Sequence, residues 1–325
     1  MSETSALPAP LAERLAEFAR KHPLRAGSLV VSLYGDVVLP RGGAAALDGV
    51  RRVLAPFGIN DSQLRTAVSR LVADGWLEGA GAAPSGRAAG RRAVYALTAE
   101  GRRRTAEATW RIYAGASPRW AGTWTLAMLQ GDAGSRSDLR RRLGWLGFGT
   151  LAPNLVIHPS PEPHALASAL GDLPVEDQPL LFSARSIGRA APAAIAREAW
   201  DLTALGAAWR GFLTGMEPVV AGFARGAPPP FAALVARLLL IHEYRRILLH
   251  DPLLPAPLLP PDWAGATAHR LTARFYRRLA WPAERWVDDG LAGPAGRLPA
   301  PDAPFARRFG GLGPRPSMSQ KNTDR

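Results

Sequence analysis

Between residues 59 and 78, INDSQLRTAVSRLVADGWLE, apolar side chains recur at helical spacing. Leu64, Ala67, Val68, Leu71 and Val72 form one stripe. The opposite face carries Ser62, Gln63, Arg65, Thr66, Ser69 and Arg70, with almost no carboxylate until Asp74. Ordinary solvated helices mix both signs of charge. Asn60 followed by Gln63 has the form of a capping box at the helix start. Asp74-Gly75 stops the helix, with the glycine suited to a left-handed terminal residue. Just upstream, LDGVRRVLAPFG predicts a second helix, capped by Asp48 and apolar at Val50, Val53 and Leu54. The short turn between the two holds Pro56 and Gly58, which makes a helix-turn-helix.

The pattern then switches to period two. WLEG is a strand, GAAPSGRAAG a loop tip, and RRAVYALT a returning strand. Thr98 caps an outgoing helix, AEGRRRTAEATWRIY. Helix-turn-helix, hairpin and helix together are the plan of a winged helix, whose second helix lies in the DNA major groove. Residues 28–38, SLVVSLYGDVV, have the propensity of a strand. Leu29, Leu33 and Tyr34 also suit a helical face, and the winged-helix plan asks for a helix there, so a helix is expected.

Beyond a Gly/Pro-punctuated hinge at 115–122 come three strand candidates, at 123–129, 154–159 and 178–184. The basic helix SRSDLRRRLGWLG lies between the first two. That order predicts a small α/β or α+β unit. Residues 193–290 read as helices, the longest being FAALVARLLLIHEYRRILL. The expected fold class is α+β. Its divisions are a flexible arm (1–23) carrying one short helix with Leu11, Leu15 and Phe18 on one face, a DNA-binding winged helix (24–114), a middle unit (119–190), a helical unit (193–290) and a disordered Gly-, Pro- and Arg-rich tail (291–325).

Composition sharpens this in two ways. The formal net charge is +13 over 325 residues, and of the lysines and arginines only Lys21 and Lys321 are lysine. Arginine forks match phosphate, so nucleic acid is the leading partner class, although a mutationally biased Ala/Gly/Pro-rich genome would also enrich arginine. The absence of cysteine excludes disulfides, thiolate metal sites and a cysteine nucleophile. No apolar run approaches the roughly 20 residues that span a bilayer, and the N-terminus lacks a signal-peptide core, so a soluble, cytoplasmic protein is expected.

On this plan Arg65 and Arg70 fork onto guanine edges or phosphates, and Ser62, Gln63, Thr66 and Ser69 bond bases or position the backbone. Arg87, Arg91 and Arg92 of the hairpin supply phosphate contacts. The alternative is a winged helix used for protein contacts. Other motifs carry less. IHEYRR (241–246) begins like a zinc-protease helix, but Arg246 stands where the second histidine belongs. It reads instead as a polar edge of His242, Glu243, Arg245 and Arg246 on a core helix. GFGT (147–150) lacks the frame of a nucleotide loop, and Asp288-Asp289 read as a solvated turn. Trp120, Trp124, Trp145 and Phe148 read as core, or as an aromatic acyl pocket. No metal site, cofactor or catalytic constellation of nucleophile, base and orienting group is expected.

Several strings resemble the PaaX family of transcriptional regulators. SLVVSLYGD with PFGINDSQLRTAVSRLVADGWLE is similar to its helix-turn-helix, and RRAVYALTAEGRRR to its wing and exit helix. RWAGTWTLAML with LRRRLGWLGFGTLAPNL resembles its middle region, and LIHEYRRILLHDPLLPAPLLPPDWAG its C-terminal signature. The resemblance implies a homodimeric repressor with a winged helix, a ferredoxin-like middle domain and a helical C-terminal domain. It also implies release from operator DNA by an aryl-CoA effector such as phenylacetyl-CoA. Trp120, Trp124, His242, Arg245 and Arg246 are the candidate effector contacts, the arginines because their forks match the phosphates of CoA. The competing readings are a CoA-thioester enzyme with a vestigial winged helix, in which His242 or Glu243 would act, and a non-specific architectural DNA binder.

Overall fold

The computed structural model describes residues 7–21, 26–83, 92–114, 120–159, 161, 163–171, 173–174, 177–187 and 191–315. Helix α1 (Ala9–Lys21) buries Leu11, Leu15 and Phe18 on one face. Phe18 sets its ring edge-on to Phe57 and to His242, and Arg14 forks onto both carboxylate oxygens of Glu243 at 2.7–2.8 Å. The expected flexible arm is therefore a docked helix over these residues. Its apolar spacing is enough to bury it once a partner surface exists.

Helix α2 (Ala26–Leu33) runs into a π-helical turn (Tyr34–Val38) and a 3-10 turn (Leu39–Arg41). The helix expected over 28–38 is present, with a wider last turn. Strand β1 (Ala44–Ala46), α3 (Leu47–Leu54), α4 (Asp61–Ala73), β2 (Leu77–Ala83), β3 (Arg92–Leu97) and α5 (Ala99–Ala114) complete the head. The strands form an antiparallel sheet in the order β1-β3-β2. Ala46 begins α3 with no side-chain cap, and Asp48 lies inside its first turn, so Asp48 meets the helix dipole rather than capping. Gly58 and Gly75, after α3 and α4, are both left-handed (φ 77° and 71°).

Next come β4 (Trp124–Met128), α6 (Ala133–Trp145), β5 (Gly149–Ala152), β6 (Leu155–His158), α7 (Pro163–Gly171) and β7 (Leu180–Ala184). Their sheet is antiparallel throughout, in the order β5-β6-β4-β7. A β-α-β-β-α-β run with this order is the ferredoxin-like plan. All three strands expected here are found. The fourth, β5, grows from GFGT, where the sequence showed only a weak loop. Trp124 and Phe148 are core, whereas Trp145 is two-thirds exposed and does not join it.

The rest is helical: α8 (Pro192–Ala199), α9 (Leu202–Gly222), α10 (Pro230–Leu248) and α11 (Ala264–Gly290). A small hairpin, β8 (Ala292–Gly293) with β9 (Gly296–Arg297), and the short α12 (Ala303–Ala306) follow. The segment read as a disordered tail is thus folded over 291–315, burying Leu291, Leu298, Phe305, Phe309 and Leu312. Its Pro and Gly content hid five well-spaced apolar anchors.

The chain divides into two compact units. One holds Met1–Ala114, Phe212–Tyr244 and His269–Arg325, and the other Gly115–Gly211 and Arg245–Ala268. The division falls inside α9, α10 and α11, so the helical region expected as one domain (193–290) is shared between them.

The first unit encloses a cluster of charges. Arg237, fully buried on α10, donates Nε to Asp36 Oδ2 and a terminal nitrogen to Glu284 Oε1, each at 2.7 Å. Arg41 donates Nε to Glu284 Oε2 at 2.5 Å and stands 2.9 Å from Asp288. Arg308 reaches Asp36 Oδ1 at 3.0 Å. The Tyr113 and Tyr276 hydroxyls donate to that same oxygen at 2.5 and 2.8 Å. Burial pushes the Asp36 carboxyl up, but the Arg237 and Arg308 guanidiniums and the Tyr113 hydroxyl outweigh it, and its pKa falls below the ordinary value. Burial raises both tyrosines well above theirs, which keeps them protonated donors.

Candidate nucleic-acid interface

Helix α4 is built to present one face. Asn60 Oδ1 accepts from the Gln63 amide and Gln63 Oε1 accepts from the Asn60 amide, both at 2.9 Å. The predicted capping box is therefore closed. Leu64, Ala67, Val68 and Leu71 are buried, and α2 packs against this side. Val72, placed in the apolar stripe by its spacing, is instead largely exposed at the stripe's edge.

Ser62, Gln63, Arg65, Thr66, Ser69 and Arg70 are all exposed. Among the described residues Arg65 and Arg70 have no ion-pair partner, and the nearest α4 carboxylate pairing joins Asp61 to Arg51 at 3.8 Å. Gln63 differs from expectation: its side-chain oxygen and its backbone amide both serve the cap, so its side-chain NH2 group is the donor left for a base or phosphate. The face is a compact set of hydroxyls and arginine forks on a rigid helix, which suits a groove about 12 Å wide.

The wing is held at its base. Thr98 Oγ1 accepts from the Gly101 amide at 2.9 Å and donates to Gly75 O at 2.6 Å, tying the end of α4 to the start of α5. Arg92 opens β3, while Arg87 and Arg91 lie outside the described residues. Arg103 and Arg104 on α5 are paired with Glu100, whose carboxyl the two hydrogen-bonded guanidiniums hold down at about 2.

The candidate effector contacts separate. His242 belongs to the first unit, is buried, and shares a 2.8 Å hydrogen bond between Nδ1 and Ser32 Oγ. With Phe18 against its ring it is an internal packing residue, and Glu243 beside it is held by Arg14. The polar edge expected on this helix is thus closed at His242 and Glu243. Trp120, Trp124 and Arg246 fall in the second unit, with Arg245 half-buried there. The Trp120 and Trp124 ring centroids are 5.2 Å apart, and Trp124 stacks at 6.5 Å on Trp200. The Trp200 indole N–H is fixed by Gly147 O at 3.0 Å.

Two cavities flank Trp200. One, of about 380 Å³, is lined by Trp200, Ala204, Leu205, Ile247, Arg246 and His250 among others. The other, of about 220 Å³, adds Arg197, Arg210 and Trp263. Trp200 walls both cavities; in the sequence it stands immediately before Asp201, whose carboxylate caps α9 by accepting from the Ala204 amide. Asp288 and Asp289 do not form a free turn either: Asp288 pairs with Arg41 and Arg315, and Asp289 with Arg297.

Three consecutive segments match family descriptions. Residues 25–101 match the PaaX-like protein, 117–196 the PaaX protein central Cas2-like domain, and 200–289 the PaaX-like protein C-terminal domain. The transcriptional repressor PaaX of Escherichia coli is 37% identical over 296 residues, which is 89% of this chain and 92% of its own. The chain belongs to the PaaX family. Among solved structures, the uncharacterized protein Rv0674 from Mycobacterium tuberculosis superposes with a TM-score of 0.51 at 25% identity, covering 80% of this chain and 97% of its own. The first PaaX segment coincides with the winged head and the central one with the ferredoxin-like fold. The three PaaX matches end at residue 289, so the folded segment 291–315 lies beyond them. The curated PaaX relative is a transcriptional repressor, not an enzyme.

Proposed function

We propose that this chain is a cytoplasmic transcriptional repressor of an aromatic-acid catabolic operon of the phenylacetate type, released from its operator by an aryl-CoA thioester such as phenylacetyl-CoA. One observation carries the DNA-binding part. The rigidly capped α4 exposes Arg65 and Arg70 without ion-pair partners among the described residues, beside Ser62, Thr66 and Ser69. A helix solvated for solubility alone would pair such arginines along its length, as α5 does with Glu100.

A homodimer is the form this function takes. Strand β7 is a sheet edge whose Leu180, Leu181 and Phe182 are each about half exposed. An open apolar edge invites pairing with the same edge of a second copy. Two-fold symmetry then calls for an operator of inverted half-sites about one helical turn, or a multiple of it, apart. For the effector, the two cavities at Trp200 combine an indole and aliphatic walls with the exposed Arg197, Arg210 and Arg246. That is the chemistry an aryl thioester with phosphate groups requires.

The test is fluorescence anisotropy of promoter DNA from the gene's neighbourhood, at fixed salt, with and without phenylacetyl-CoA. Tight, competitor-resistant binding lost on adding the thioester is expected. Binding that ignores the thioester removes the effector, and binding that random DNA competes away equally removes the repressor.

A further inference from the structure

The segment after α11 lies outside the three family matches, yet it is built into the DNA-reading head. Leu291 packs so close to Gly49 of α3 that a β-carbon there would stand 2.6 Å from it. Ala292 joins the apolar contacts of Ala44 and Ala46 in β1. Pro299 O accepts from Arg41, and the Asp302 amide donates to Pro40 O. Phe305 and Phe309 then flank Arg308, which lies 4.1 Å above the Tyr113 ring and 5.0 Å from that of Phe305. Phe309 holds φ 50°, a left-handed conformation that a bulky side chain adopts only when its surroundings fix it.

What Arg308 grips is the π-helical turn at the end of α2. It donates to the Asp36 carbonyl at 2.7 Å, to the Gly35 carbonyl at 3.3 Å and to the Asp36 carboxylate at 3.0 Å. The Tyr276 hydroxyl oxygen completes its shell at 2.7 Å. That turn is continuous with α2, and α2 backs the buried face of α4. A guanidinium fork that holds two successive carbonyls and a carboxylate fixes direction as well as distance.

We propose that Arg308 is a positioning residue for DNA recognition: from the far end of the chain it locks the Gly35–Asp36 turn, and through α2 it sets the aim of the reading helix α4. The idea rests on the proposed function for its DNA readout. Its structural part stands alone. A helix tilted by a slackened support loses base contacts first, because base edges demand finer geometry than phosphates.

The experiment uses the full chain with Arg308→Met and Arg308→Lys. Affinities for the operator fragment and for random DNA of equal length are measured at one salt concentration, together with amide hydrogen exchange across residues 26–73. Arg308→Met should weaken operator binding about tenfold, the loss of one bidentate base contact, while random-DNA affinity stays within about twofold. Exchange in α2 and α4 should quicken, and Arg308→Lys, which keeps the charge but not the fork, should recover part of both. Operator affinity unchanged in a folded Arg308→Met overturns the proposal. So does a parallel fall in both affinities, which is what general unfolding gives. Should Arg308→Met fail to fold, the same comparison with Arg308→Lys decides. If the unsubstituted chain itself does not discriminate operator from random DNA, the repressor reading has failed. The exchange rates of α2 and α4 then still decide whether Arg308 positions them.

Discussion

Replacing Arg237 by methionine isolates what the buried charge cluster contributes. Arg237 is wholly buried and makes three bonds: to Asp36 Oδ2 and Glu284 Oε1 at 2.7 Å, and to Asp36 O at 3.1 Å. Methionine fills most of its length and supplies none of them. Asp36 keeps Arg308 and two tyrosine hydroxyls, and Glu284 keeps Arg41. The carboxylate oxygens Asp36 Oδ2 and Glu284 Oε1 nevertheless lose the donor that Arg237 gave them, in a site that water does not reach. Breaking a buried pair from one side costs about 3–5 kcal/mol, against a total stability of about 5–15 kcal/mol. Urea unfolding followed by tryptophan fluorescence measures this, since Trp281 and Trp286 belong to the same unit. The midpoint should drop with the slope unchanged.

The reasoning makes a second, sharper demand. Glu284→Gln added to Arg237→Met removes one of the two carboxylates left short of a donor, while Asp36 keeps Arg308 and Arg41 keeps Asp288. The double variant should lose clearly less than the sum of the two single losses. A single variant within about 1 kcal/mol of the unsubstituted chain, or a strictly additive double, refutes the account.

Three further outcomes follow from the same geometry. Arg65→Ala and Arg70→Ala should each weaken operator binding, and where the lost contact is a phosphate the slope of log affinity against log salt falls by about 0.9; slopes and specificity both unchanged would remove this face from the interface. Because Asp36 is depressed in the fold, its contribution is complete above the ordinary carboxylate range and is lost as pH falls through its folded value, so acid unfolding of Asp36→Asn should be flatter below about pH 4 than that of the unsubstituted chain. Gly101→Ala would place a β-carbon 2.3 Å from Trp76 O, at the junction Thr98 ties, and should cost about 1–3 kcal/mol in thermal unfolding while Gly144→Ala, with open space around it, costs little.

The winged head was legible because its signals are local. A capping box, a helical stripe, a left-handed glycine and an alternating strand each occupy fewer than about fifteen residues and agree with one another. The ferredoxin-like unit was half legible: β4, β6 and β7 show as apolar runs, but β5 is four residues of GTLA that only a neighbouring strand makes into a strand. At the two ends less was legible: the spacing of Leu11, Leu15 and Phe18 shows the helix of the N-terminal arm but not its docking, and nothing local shows the fold of 291–315. Residues 9–21 and 291–315 are ordered by distant partners, Phe57 and His242 in one case and Gly49 and Asp36 in the other. No window of local sequence contains those partners, so neither the docking of the arm's helix nor the order of the Gly- and Pro-rich tail shows in it.

The arginines divide the same way, and that division decides how the net charge of +13 is to be read. Arg41, Arg237 and Arg308 are internal and neutralised by Asp36, Glu284 and Asp288; they shape the head and offer nothing to a ligand. Arg103, Arg104 and Arg141 are spent on pairs with carboxylates three or four residues away. Arg65 and Arg70 stand on one helix face, and Arg197, Arg210 and Arg246 line the cavities at Trp200, all without ion pairs among the described residues. Spacing along the chain does not mark the second group, because Arg65 and Arg70 also have carboxylates four residues away, Asp61 and Asp74, and pair with neither among the described residues. It cannot separate the first group from the third, since the partner of Arg308 lies 272 residues away. On the proposed function, the unpaired arginines place the two partners that net charge leaves unplaced: operator DNA at the exposed face of α4, and the phosphates of the effector around Trp200.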